Sequence, residues 1–92
     1  MKQMKIQAQL PVSFLREGKA YIAYTPALDI STSGRTFAQT QKRFGELVEL
    51  FFEELMDMGT LETVLLELGW EKQNKKWVPP TVVAQQLHSV SV

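Results

Sequence analysis

The apolar residues of this chain keep two different periods, and the period changes at Thr36. Before it, Met4, Ile6, Ala8, Leu10, Val12 and Phe14 hold the even positions, with Lys5, Gln7, Gln9 and Ser13 between them. Period two is the mark of a strand with one buried face. After Thr36, the residues Phe37, Phe44, Leu47, Val48, Phe51, Leu55 and Met58 recur along one helical stripe. A chain that is strand-like first and amphipathic-helical next must cover a sheet face with a helix. That makes it an α+β domain.

Turn chemistry divides the strand-like part. The alternation over residues 4–14 predicts a first strand, and Pro11, with no N–H to give a ladder, puts that strand at an edge or at a bulge. "REGK" (16–19) is a turn with Gly18 available for positive φ, and "AYIAYT" (20–25) is rich in β-formers. The two make a hairpin. Pro26 ends the second strand. A short third strand is expected around Asp29–Thr32, closed by Gly34.

The helical part is punctuated as clearly. Thr36 with Gln39 three residues on reads as a capping box, so the long helix runs from about Thr36 to Met58. Gly45 inside it suggests a close approach to the sheet. Leu50 and Phe52 lie off the main stripe and suggest a second contact surface. Gly59 is the C-cap glycine, Thr60 an N-cap, and "LETVLLEL" a short second helix closed by Gly69. "WEKQNKKWV" (70–78) is either two strand pieces around a turn or one strand with a polar bulge. Pro79 and Pro80 stop regular structure. The expected fold is a three-stranded antiparallel-type sheet plus a C-terminal strand, packed by one long and one short helix. It occupies residues 1–80. Residues 81–92, "TVVAQQLHSVSV", are nearly uncharged and β-prone. They are too apolar for a disordered tail, and part of them is expected to be extended and docked, either on the domain itself or on a partner chain.

Charge is balanced in total and segregated along the chain. Residues 1–43 hold seven bases (Lys2, Lys5, Arg16, Lys19, Arg35, Lys42, Arg43) against Glu17 and Asp29, whereas residues 44–71 hold eight acids and no base. Such a field repels nucleic acid and steers basic partners. There are no cysteines, which excludes disulfides and thiolate metal sites and fits a cytoplasmic location. No segment reads as a signal peptide or membrane span.

The residues offer little for catalysis. A two-metal nuclease needs several converging carboxylates. Residues 4–15 carry none, Asp29 stands alone in the third-strand region, and Glu46, Glu49 and Glu53 are expected to face solvent. The expected role of Asp29 is local, accepting backbone N–H groups in the bend after Pro26. His88 is the only histidine and has no Cys or second His with which to hold zinc. Trp70 and Trp77 flank Lys72, Lys75 and Lys76, so they are either core residues or a base-stacking platform.

Taken in order, "FLREGKAYIAYTPALDISTSG" and "TFAQTQKRFGELVELFFEEL" resemble the HicB family of antitoxin-like proteins. The resemblance lies in the Tyr-x-Ala-x-x-Pro-x-Leu stretch Tyr21–Leu28, the Ser31–Gly34 strand end and the helix opening at Thr36. "LETVLLELGWEKQNKKWVPP" is similar to a subgroup with a second short helix and a Gly-Trp strand. The resemblance implies a truncated, RNase H-like domain that binds and neutralises a small basic RNA-cleaving toxin, HicA, and that forms dimers or larger assemblies. Two departures limit it. "DIST" stands where the family has a Pro-Gly-Cys-type turn, and the dozen residues after Pro80 cannot supply a C-terminal DNA-binding module.

The expectation is therefore a non-enzymatic interaction module with no cofactor and no bound metal. Glu46, Glu49, Glu53, Glu54 and Asp57 would meet a basic partner. Leu50, Phe52 and Met56 would form a homo-oligomer interface. Asp29, Thr36 and Gly59 would be structural. The alternative is a nucleic-acid-binding module using the basic hairpin and the Lys72–Lys76 strand.

Overall fold

A computed structural model describes residues 6–92. Its elements are β1 (Ser13–Glu17), β2 (Ala20–Thr25), β3 (Ile30–Gly34), α1 (Phe37–Met58), α2 (Leu61–Glu67), β4 (Glu71–Gln73) and β5 (Lys76–Val78). The fold is α+β. The first three strands form an antiparallel sheet in the order β1-β2-β3, and β4 and β5 form a separate antiparallel hairpin.

The first strand is shorter than the alternation predicts. It begins at Ser13, and residues 6–12 are in no regular element; the expected Met4 and Lys5 lie outside the described residues. Pro11 cannot donate to a ladder, so pairing starts only beyond it. Ile6 and Leu10 are nonetheless buried in part, packed against the core formed with the helices. The alternation reports one buried face, and that face meets the helices without belonging to a strand.

β3 begins one residue after Asp29, which lies in the bend, and ends at Gly34. In the β4–β5 hairpin, Asn74 and Lys75 both take positive φ, 50° and 66°. That is the type I′ geometry of a two-residue hairpin turn, and it selects the first of the two alternatives for residues 70–78.

One glycine sets how closely α1 sits on the sheet, and it is not Gly45. A Cβ on Gly34 would come 2.7 Å from Thr40 Oγ1, whereas Gly45 is exposed with open space around it. Buried Thr40 donates from Oγ1 to the Thr36 carbonyl at 2.8 Å and reaches the Tyr21 carbonyl at 3.3 Å. Thr36 caps α1: its Oγ1 accepts the Gln39 N–H at 3.0 Å. The return arm of the box lands one residue early, since Gln39 Oε1 accepts from Arg35 N–H at 2.7 Å. Phe37 packs edge-on against Phe14 of β1, 4.7 Å between ring centroids. Both ends of the expected stripe, Phe37 and Met58, remain exposed.

Both helices end in the same device. Gly59 N–H bonds the Met56 carbonyl and Thr60 N–H the Leu55 carbonyl; Gly69 N–H bonds Leu66 and Trp70 N–H bonds Leu65. These are paired Schellman bonds, with Gly59 at φ 70° and Gly69 at φ 92°. The second places Trp70 back over Leu65. There the two join Ala27, Leu28, Leu61 and Trp77 in the core. The indole N–H of Trp70 donates to the Ala27 carbonyl at 2.7 Å, which ties the bend after Pro26 to the C-terminal hairpin. Thr60 departs from expectation. Its side chain makes no capping bond, and its Oγ1 is buried without a partner among the described residues.

Candidate functional site: the acidic face of α1

α1 rises about 33 Å over its 22 residues. Its charges run the wrong way for its own dipole. The first turn has no acid and the last turn no base, while Asp57 lies in the last turn. An α-helix carries about half a positive charge at its N-terminus and half a negative charge at its C-terminus. Lys42 and Arg43 lie in the positive half, together with Glu46, whereas Glu49, Glu53, Glu54 and Asp57 lie in the negative half and Asp57 stands in the last turn itself.

Glu46, Glu49, Glu53, Glu54 and Asp57 are all exposed. At 100° per residue, Glu46, Glu53, Glu54 and Asp57 stand at i−4, i+3, i+4 and i+7 from Leu50, so they ring it. Leu50 is 58% exposed. Glu49, Glu53 and Asp57 are successive i,i+4 neighbours of like sign, a spacing that destabilises a helix by about 0.2–0.5 kcal/mol per pair. The result is a negative, solvated face with one apolar side chain at its centre.

The three residues expected at an oligomer interface do not share a surface. Leu50 belongs to the acidic face. Phe52 and Met56 lie on the far side, where they line a cavity of about 270 Å³ with Ile6, Leu10, Val48 and Trp70. Phe52 is half-buried and packs edge-on against Trp70, 6.1 Å between centroids. Its place off the main stripe is explained by the N-terminal segment and Trp70, which cover that side of α1. Pro11 was the available signal, because it frees residues 6–10 from the sheet. Glu49 sits at the border and contributes to the cavity rim.

Asp29 is a bend residue at positive φ, 54°, a region that Asp tolerates better than most side chains. Its N–H donates to the Thr25 carbonyl at 2.9 Å, and Thr25 Oγ1 accepts the Ala27 N–H at 3.2 Å. The carboxylate takes a side-chain donor in place of the expected backbone ones: Tyr24 Oη donates to Oδ1 at 3.0 Å. That bond, helped by desolvation and the carboxylate's charge, raises the Tyr24 pKa above the ordinary tyrosine value. Periodicity does not reveal Tyr24 as the partner, because the bend alone brings the two side chains together.

Among the described residues, no three His, Cys, Asp or Glu side chains are grouped so as to hold a metal ion, and no helix is long and apolar enough to cross a membrane. Trp70 and Trp77 are buried, so neither offers a face to a base; Lys72 Nζ lies 5.6 Å from the Trp77 ring centroid. No protein-family model, curated protein or solved structure matches the chain.

Proposed function

We propose that the chain is a non-enzymatic, cytoplasmic interaction module of HicB type that binds and masks a basic, RNA-cleaving partner. One observation carries the reading. Four exposed acids, Glu46, Glu53, Glu54 and Asp57, ring an exposed leucine on a long helix, and Glu49, Glu53 and Asp57 repel one another along it, with Asp57 in the negative last turn. A cationic surface laid on that face relieves the repulsion between neighbouring acids and complements the helix dipole. Charge steering speeds the encounter, and burial of Leu50 with its surroundings slows release. The resemblance of residues 4–80 to the HicB family supplies the class of partner, a small HicA-type toxin.

The test is protection of RNA from a purified HicA-type ribonuclease. Inhibition by this chain should be strong near 0.1 M salt, where screening reaches about 10 Å, and should weaken near 1 M, where it reaches about 3 Å. Cleavage that continues unchanged in the presence of the chain at low salt contradicts the reading.

A second reading has its own support. Lys72, Lys75 and Lys76 are exposed together at the β4–β5 hairpin, which suits contact with phosphates. It predicts RNA binding by the chain alone, with an affinity that falls steeply as salt rises. Burial of both tryptophans removes the stacking surface that such a module would use.

A further inference from the structure

We infer that residues 86–92 of one copy add as a fourth strand to the free edge of β1 in a second copy, so that two chains exchange their C-terminal arms. Two incomplete elements of the same molecule lead there. The first is the arm. After Pro80 the chain passes the N-terminal segment, sharing a shallow groove with Gln9, Leu10 and Pro11. Gln85 Nε2 then donates to Ser13 Oγ at 3.2 Å. Beyond that anchor the arm touches little. Leu87 and Val92 are 105% and 120% exposed, as free as in an isolated peptide, and Val90 is 77% exposed. The arm is extended away from the body: a 92-residue chain packed throughout has a radius of gyration of about 12 Å, and this one has 15.3 Å.

The second is the sheet edge. Among the described residues β1 pairs only with β2, which leaves its other side open. The opposite edge is treated differently. On β3, the Ser33 carbonyl already accepts from Arg43 Nη1 at 2.9 Å. An open edge accepts an added strand unless charge, proline or a cover prevents it. The start of β1, Ser13–Phe14–Leu15, is uncharged, and so is the arm apart from His88. Seven extended residues reach about 23 Å and a five-residue strand about 17 Å, so the arm spans the edge.

The arm leaves its own sheet edge after Gln85 with Leu87, Val90 and Val92 uncovered, so the edge it can join is that of a second copy. Gln85 holds the arm beside the first residue of β1 in its own chain. Two chains related by a twofold axis therefore present arm and edge to each other reciprocally, with the same contacts made twice. This inference is independent of the masking reading, since the acidic face of α1 takes no part in it.

The test uses the full chain. Sedimentation should show a dimer whose mass halves in the double variant Leu87→Lys/Val90→Lys, with the helical circular dichroism signal retained because these side chains pack on nothing in the monomer. The chain has no cysteine, so Val90→Cys in one copy can be mixed with Leu15→Cys in another. Their disulfide should form at least about tenfold faster than that between Val90→Cys and Glu67→Cys, through the raised effective concentration. A wild-type chain that stays monomeric, a dimer that survives the lysines, or equal cross-linking at both positions overturns the inference. So does a monomer whose arm is captured only by an unrelated protein.

Discussion

Tyr24 and Asp29 show how a single acid is held in place without being part of a reactive cluster. The bend after Pro26 needs a residue that accepts positive φ, and Asp29 also captures the Tyr24 hydroxyl across it. The sign of the linkage follows from the raised Tyr24 pKa. The hydrogen-bonded phenol contributes stability that is complete below the ordinary tyrosine value and is lost as pH rises through the higher folded value. In an ultraviolet titration of the folded chain, Asp29→Asn should move the Tyr24 transition to lower pH. The bend itself should survive, because Asn also tolerates this backbone region. A Tyr24 transition that does not move in the variant would remove Asp29 as its cause.

Two threonines precede the two helices, and only Thr36 has a Gln three residues on; Thr63 stands at that place after Thr60. Thr36 makes its capping bond, while Thr60 buries its hydroxyl without a partner. Thr36→Ala should therefore lower stability by about 1 kcal/mol. Thr60→Val removes a buried unpaired group at nearly constant shape and should raise stability by about 1 kcal/mol. Thermal melts of both variants check the pair, and equal losses would contradict it. Two glycines, one in α1 and one at the end of β3, separate in the same way. Gly45→Ala should stabilise by about 1 kcal/mol, because the site is open and helical. Gly34→Ala should destabilise, because its Cβ would press on Thr40 Oγ1 at 2.7 Å.

These pairs mark the limit of what local signals say. The hairpin, the capping of α1, both Schellman glycines and the α+β class follow from turn chemistry and hydrophobic period, which are local properties. The extent of β1 does not, because period two records a buried face without naming what buries it. Ile6 and Leu10 alternate like strand residues and pack among the helices. The split of Leu50 from Phe52 and Met56 is hidden for a related reason: only the path of the N-terminal segment decides which side of α1 is covered.

At the scale of the whole molecule, the chain is polarised. Bases crowd the first 43 residues and the acids follow, along a helix whose dipole points the same way. The acids in α1 are legible in the sequence as a charge run, but their convergence around Leu50 is a property of the folded helix. The central claim is that this face exists to receive a cationic partner, and stability and binding should therefore move in opposite directions when it is altered. The direct measurement is the double variant Glu53→Lys/Glu54→Lys, compared with the unaltered chain for thermal stability and for affinity to a HicA-type ribonuclease. Removing like-charge neighbours should raise stability by a few tenths of a kcal/mol, while affinity at low salt should fall by at least about tenfold, or 1.4 kcal/mol. An affinity that holds while the variant stays folded would contradict the account.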